Sequence, residues 1–432
     1  MQASDPATRV GDARPDDALP GGGGPWRRLA AAAGLLDAGG RVSATVFAEM
    51  TALAQRTGAL NLGQGFPDED GPEFLRRLAA DAILAGPGAP PGLNQYPPGP
   101  GLASLRQAVA AHAARHYGVE VDPDREVLVT AGATEALAAA LLALVEPGDE
   151  VVTLEPYYDA YGAVIALAGG VHRTIPLRPG PDGFRLAQAD VRAAFSPRTR
   201  VVVLNSPHNP TGTVLTREEL GWLADAARNH DAVVVTDEVY EHLTYDGAVH
   251  VPMATLPGMA ARTLTVSSAG KTLSMTGWKI GWVTGPEELV TAVRTVKQFL
   301  TYVAGGPFQH AVAAALEDRD GRTAEYLEDL RASLTARRDA LTDGLRAAGL
   351  APVPARGTYF VLADAAPAGF DDAVEYCRVL PHVAGVVAIP ATAFCRAGSE
   401  TGEALRSFVR FTFVKSEATM TEAVRRLRAA RP

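Results

Sequence analysis

The chain has 432 residues, 47% of them hydrophobic and 21% charged, enough for a large core shared among two or three domains and too long for a short binding module. Its formal net charge of −9 offers no basic field for nucleic acid or an anionic membrane, so any phosphate recognition has to be local. Two cysteines, Cys377 and Cys395, cannot make a disulfide framework or a cysteine-rich metal site, and they point to reduced thiols in a cytoplasmic protein.

Residues 1–40 are rich in Gly, Pro, Ala, Asp and Arg, include Gly21-Gly22-Gly23-Gly24, and lack sustained periodicity, which predicts a disordered tail. Arg27-Arg28 and the Ala/Leu stretch after it resemble a twin-arginine export signal, but Asp37 interrupts the apolar region and no small-residue cleavage site follows. Residues 41–75 are expected to join a small domain, 76–320 to form a large domain, and 321–432 to complete the small one. The longest apolar run, Ala136 to Val145, falls short of the ~18 to 20 residues of a membrane span and reads as a buried helix.

From Glu126 onward, short β-branched runs alternate with helical patterns: VLVT before GATEALAAALLALV, VVTL, VVVLN before REELGWLADAARNH, AVVVT, TLTV and IGWVT. The alternation predicts right-handed βαβ units and an α/β three-layer sandwich around a mostly parallel sheet. Long amphipathic helices and the strands GTYFVLAD, VVAIP and SFVRFTFV then predict a smaller α/β domain. Thr130, Asn205, Asp237 and Ser268 each sit where a predicted strand stops, the side of an open α/β sheet at which ligands gather.

Several of these strand exits carry residues with two readings. Gly132-Ala133-Thr134-Glu135 opens a helix, as an anion site of free backbone N–H groups or as a plain cap. Asn205 to Gly212 is rich in turn formers, and Tyr157-Tyr158-Asp159-Ala160-Tyr161 could be core packing. Asp237 is a costly acid unless it faces a cation or caps the next element. Arg410 lies between aromatics in a strand, as a planar fork for a carboxylate or as an outward group on an edge. Only Lys271, Lys279, Lys297 and Lys415 among the 40 basic residues are lysine. Two of them eight residues apart in one segment are either chance survivors on an exposed face or a sign of imine chemistry, which needs a primary amine and excludes a guanidinium.

The segment from Ser267 to Trp282, SSAGK through TGWKIGW, resembles the cofactor-lysine segment of fold type I pyridoxal-phosphate aminotransferases, the kynurenine, glutamine and methionine transaminase and succinyldiaminopimelate aminotransferase subgroup. The resemblance covers essentially the whole chain after residue 41. It implies pyridoxal 5'-phosphate as a Schiff base on Lys271, with phosphate held by Ser268, Lys279 and the helix start at Ala133 and Thr134. It assigns Asp237 to the ring nitrogen, Tyr240 and Asn209 to the ring's phenolic oxygen, and Tyr158 to stacking on the ring. Arg410 would take the substrate α-carboxylate, helped by Asn209 and the backbone N–H of Gly65, with Phe47 lining the pocket. Tyr96 would cross to the partner's phosphate, implying a homodimer. Amino acid and 2-oxo acid substrates follow, with neither nucleic acid nor membrane as partner and no metal.

Kynurenine-type members carry an aromatic and a histidine where this chain has Tyr302-Val303-Ala304-Gly305-Gly306-Pro307-Phe308-Gln309. That version and FPDEDGP look more like the succinyldiaminopimelate members. A carbon–sulfur β-lyase acting on cysteine conjugates shares every motif and is the alternative. A transcription regulator with an aminotransferase-like domain would need an N-terminal winged-helix segment, which the Gly/Pro-rich first 40 residues cannot supply.

Overall fold

The computed structural model of the chain describes residues 24–37, 39–86 and 90–430. Its centre is a seven-stranded sheet in the spatial order Val127–Thr130, Gly281–Thr284, Thr263–Ser268, Val233–Asp237, Thr199–Asn205, Glu150–Glu155 and Val171–Pro176. Alternate side chains leave the sheet on opposite faces. Val201, Val203 and Val235 pack with Ala136, Leu141 and Ile165 on one side, whereas Val202, Leu204 and Val234 pack with Leu220 and Leu223 on the other. Helices Ala133–Leu144 and Ala160–Ala168 cover the first face and Arg217–Asn229 the second, giving the expected three layers. Burial on both faces is why these strands read as continuous Val/Leu runs.

The strand IGWVT departs from the expected βαβ pattern. Gly281–Thr284 runs antiparallel to both neighbours, Val127–Thr130 and Thr263–Ser268. The twelve-residue connection carrying Lys271 and Lys279 holds only short turns of helix and doubles back instead of crossing over.

A second, four-stranded sheet orders Ala351–Pro352, Phe360–Asp364, Phe408–Thr412 and Ile389–Pro390. Leu60–Asn61 pairs with Val386–Val387, so the 41–75 segment is stitched to this region. The 26-residue helix Arg322–Ala347 and the terminal helix Glu417–Ala429 pack on it through Leu341, Leu345 and Leu427. Ser416 accepts from Thr419 N to cap the terminal helix.

Part of the segment expected as a tail is ordered. Pro25–Ala32 is a helix with Pro at its start, Ala30 is buried, and the helix packs on Ala160–Ala168. The Gly-rich flank hid an eight-residue helix with a partner over 100 residues away; residues 1–23 lie outside the described residues. No helix among the described residues is long and apolar enough to cross a membrane.

Candidate active site

The strand exits converge as the β-branched runs suggested. The main strands stop at Thr130, Asn205, Asp237 and Ser268 on one edge of the sheet. Above them lies a cavity of about 350 Å³ lined by Phe47, Gly65, Ala133, Thr134, Tyr158, Asn209, Asp237, Tyr240, Ser268, Lys271, Lys279 and Arg410. Of the predicted site residues, Tyr96 alone lies outside it, exposed and edge-on to Tyr302 with ring centroids 5.5 Å apart. The Tyr302–Gln309 segment is likewise beside residues 93–96, away from the cavity of its own chain.

At one wall, Lys271 Nζ donates to Tyr359 Oη at 2.7 Å, and Tyr359 Oη donates to the Gly65 carbonyl at 2.7 Å. The same amine lies 5.7 Å from the centre of the Tyr240 ring. Tyr359 and Tyr240 meet edge to face at 5.2 Å, which fixes both rings beside the amine. A Cβ on Gly65 would come within 2.3 Å of Phe360 Cζ, so any side chain there would have to displace that buried ring.

At the cavity floor, Asp237 Oδ2 accepts from Tyr161 Oη at 2.6 Å, and Asn205 Nδ2 donates to the Asp237 carbonyl. Burial raises the Asp237 carboxyl to about 6, opposed by the Tyr161 and Val239 hydrogen bonds and the charge of Lys271. A carboxylate in such a place fits a ligand cation at the floor. Burial also pushes the neighbouring Tyr158 hydroxyl up to about 12.

The helix Ala133–Leu144 starts at Gly132, with φ +81° and no side-chain cap, so its first N–H groups are free to face an anion. Thr134 is therefore not the cap. A Cβ on Gly132 would sit 3.2 Å from Lys279 Nζ, so the second lysine flanks this helix start. Gly281 permits the close approach, since a Cβ there would lie 2.6 Å from Gly132 C and 2.8 Å from Ala133 N.

Arg410 is inside the four-stranded sheet, not at its edge, and is 2% exposed. It donates to Asn209 Oδ1 at 3.0 Å and to the Gly63 carbonyl at 2.6 Å, while its Nε has no partner. Phe360, Phe394 and Phe47 surround the guanidinium at 4.1, 4.4 and 5.6 Å from their ring centres. Burial lowers its pKa to about 10, leaving it cationic at neutral pH and able to receive an anion. Asn209 is held in turn, its backbone N–H donating to Asn205 Oδ1 at 2.7 Å. His208, next to it, is fully buried against Thr211, and burial drives it to about 3, so it stays neutral.

Tyr161 and Tyr359 escaped the sequence reading. Each is one aromatic among several in its segment, and its hydroxyl finds a partner 76 or 88 residues away. The lysine scarcity was the better signal. Lys297 and Lys415 are buried away from the Lys271 amine, each donating to a carbonyl, of Tyr302 and Phe66 respectively, whereas Lys271 is half-buried and Lys279 exposed.

The described residues fit pyridoxal 5'-phosphate on three observations: a primary amine at the wall, a buried carboxyl at the floor, and an uncapped helix start beside a lysine at the mouth. A family model described as aminotransferase class I and II matches residues 57–427. The chain is 54% identical over 387 residues, 89% of its length and 95% of the relative's, to the probable N-succinyldiaminopimelate aminotransferase of Mycobacterium tuberculosis (strain ATCC 25618 / H37Rv). It is 39% identical over 388 residues, 90% of its length and 96% of the relative's, to the methionine aminotransferase of Escherichia coli (strain K12). A solved N-succinyldiaminopimelate aminotransferase structure from Mycobacterium tuberculosis superposes with a TM-score of 0.84 at 53% identity, covering 90% of this chain and 97% of that one. With the three-layer fold and the converging strand ends, these likenesses establish that the chain is a fold type I aminotransferase belonging to the class I and II family.

Proposed function

We propose that this aminotransferase carries pyridoxal 5'-phosphate on Lys271 and moves the α-amino group between an N-succinyldiaminopimelate-type amino acid and a 2-oxo acid. The observation that carries the cofactor reading is the pairing, in one cavity, of the Lys271 amine with the buried Asp237 carboxyl. Bound there, the cofactor supplies an aldehyde carbon that captures amino groups and a ring that takes up the electron pair released at the substrate Cα.

Asp237, held by Tyr161, would meet the charge of the ring nitrogen. Tyr240 and Asn209 would hydrogen-bond the ring's phenolic oxygen, and Tyr158 would supply the aromatic surface for the ring. Ser268, Lys279 and the N–H groups of Ala133 and Thr134 would hold the phosphate at the helix start. The substrate carboxylate docks on Arg410, assisted by Asn209 and Gly65, with Phe47 closing the pocket. The Lys271 amine, freed when the substrate's amino group takes its place on the cofactor, would take the Cα proton and pass it to the cofactor's aldehyde-derived carbon. Tyr359 is the support for that amine, accepting its hydrogen bond and passing one to Gly65.

The substrate assignment rests on the 54% identity and on the Tyr302–Gln309 segment, which departs from the kynurenine pattern. The relatives named above are transaminases, which favours amino transfer over carbon–sulfur lysis. The same reading makes the enzyme a cytoplasmic homodimer in which Tyr96 reaches the partner's site, with residues 76–320 as the cofactor domain and 321–432 as the small domain.

Borohydride reduction followed by peptide mapping tests the cofactor reading. Label on Lys271 is expected; label on another residue, or none, overturns it. A donor panel of N-succinyl-diaminopimelate, kynurenine, glutamine and methionine with 2-oxoglutarate and pyruvate tests the substrate separately. The succinylated donor should give the highest kcat/KM, and a higher value with any other donor refutes that assignment alone.

A further inference from the structure

Behind the turn that carries Tyr240 lies a cluster that amino transfer does not use. His112 and His116 stand one turn apart on the helix Ala103–Tyr117, and His242 follows Tyr240 and Glu241 after the strand Val233–Asp237. Residues at i and i+4 share a helix face, so the two helical imidazoles point the same way. His242 faces them. One nitrogen from each of the three rings lies within 4.8 Å of the others, and the His112 and His242 Nε2 atoms are 3.0 Å apart.

Three imidazoles at that spacing match a first-row metal. With metal–nitrogen bonds of about 2.0–2.1 Å, the ligand atoms of a tetrahedral site stand roughly 3.4 Å apart, between the separations seen here. The surroundings agree as well. The buried Glu241 Oε2 is 3.8 Å from His112 Nε2, and its other oxygen accepts from Ser267 Oγ at 2.5 Å. That carboxylate lies beside the same His112 nitrogen, where it offsets the charge of a cation held there. His112 is buried, whereas His116 is exposed and opens a path from solvent.

We propose that His112, His116 and His242 form a three-nitrogen site for a divalent transition-metal cation of the zinc type, with water in the fourth position and Glu241 as its charge partner. The cation ties the helix Ala103–Tyr117 to the turn bearing Tyr240, and through Glu241 and Ser267 to the strand that ends at Ser268. It braces two walls of the cavity from behind. Imidazole donors rank zinc, copper, nickel and cobalt above magnesium and calcium, which sets the expected selectivity.

The competing arrangement is a ring of histidines hydrogen-bonded beside Glu241 without metal. Chelator-treated holoenzyme dialysed against Zn²⁺ alone, with metal content measured by elemental analysis, separates the two. About one zinc per chain is expected in the wild type, together with a rise in Tm on addition of Zn²⁺. His116→Ala, at an exposed helical position where alanine is the better helix former, should stay folded and bind zinc at least tenfold more weakly. It should also lose the Tm response. Failure of the wild type to retain zinc overturns the site. So does retention by His116→Ala within tenfold of the wild type. Neither readout depends on which substrate the enzyme uses or on where its cofactor is attached.

Discussion

The phenolic hydroxyl of Tyr161 donates to Asp237 Oδ2 at 2.6 Å, so the acid at the floor of the cavity is oriented by a side chain from a helix 76 residues earlier. This contact lowers the Asp237 pKa against the dominant effect of burial, which carries it from 3.8 to about 6. The carboxyl therefore sits where neutral pH ionises it and where a bound cation stabilises its charge strongly.

Between pH 4 and 6 the folded apoprotein keeps a proton on Asp237 that the unfolded chain has released. Rising pH through that window consequently costs the apoprotein stability, by on the order of 3 kcal/mol when complete. Asp237→Asn removes this loss. In urea unfolding of cofactor-free protein, the variant should gain on the wild type as pH rises from 4 to 6 and hold the gain above it. A pH-independent difference would contradict the burial argument. Turnover of the same variant should fall steeply.

Tyr359→Phe keeps the ring against Tyr240 and Phe360 but removes the hydroxyl between Lys271 Nζ and the Gly65 carbonyl. We expect kcat to drop roughly tenfold to a hundredfold, while stability changes by about 1 kcal/mol. Steady-state kinetics beside thermal melts decide the matter, and an unchanged kcat would show that the amine needs no such support.

Arg410→Lys retains a cation but not the fork that reaches Asn209 Oδ1 and the Gly63 carbonyl together. The expected loss is ~2–4 kcal/mol of transition-state binding, roughly 30- to 1000-fold in kcat/KM. The loss should be common to all donors, since all present an α-carboxylate. If it varies strongly from donor to donor, Arg410 reads side chains instead.

Gly281→Ala places a methyl within 2.8 Å of the backbone at Gly132 and Ala133, where no side chain can yield. The strand and the helix start must separate, at a cost of about 1–3 kcal/mol. Weaker pyridoxal 5'-phosphate retention on gel filtration is expected alongside a lower Tm. Normal retention would mean that the helix start does not hold the phosphate.

How much of this was legible in the chain follows from what local pattern encodes. Runs such as VVVLN and AVVVT mark buried strands because both sheet faces are covered, and the polar residue after each run marks the strand end, so Asn205 and Asp237 could be placed before any coordinates. Lysine scarcity was equally readable in the chain, whereas the need for glycine at Gly281, against the backbone of Gly132, was not. What local pattern does not carry is which strand neighbours which. The antiparallel return at Gly281–Thr284, the Pro25–Ala32 helix docked on Ala160–Ala168, the hydroxyls of Tyr161 and Tyr359, and the His112–His242 contact across 130 residues all depend on sheet order and helix docking. Side-chain period along a strand or helix is set by backbone geometry and is visible in any window; the meeting of distant side chains is set by how the buried faces assemble, and only the tertiary structure decides it.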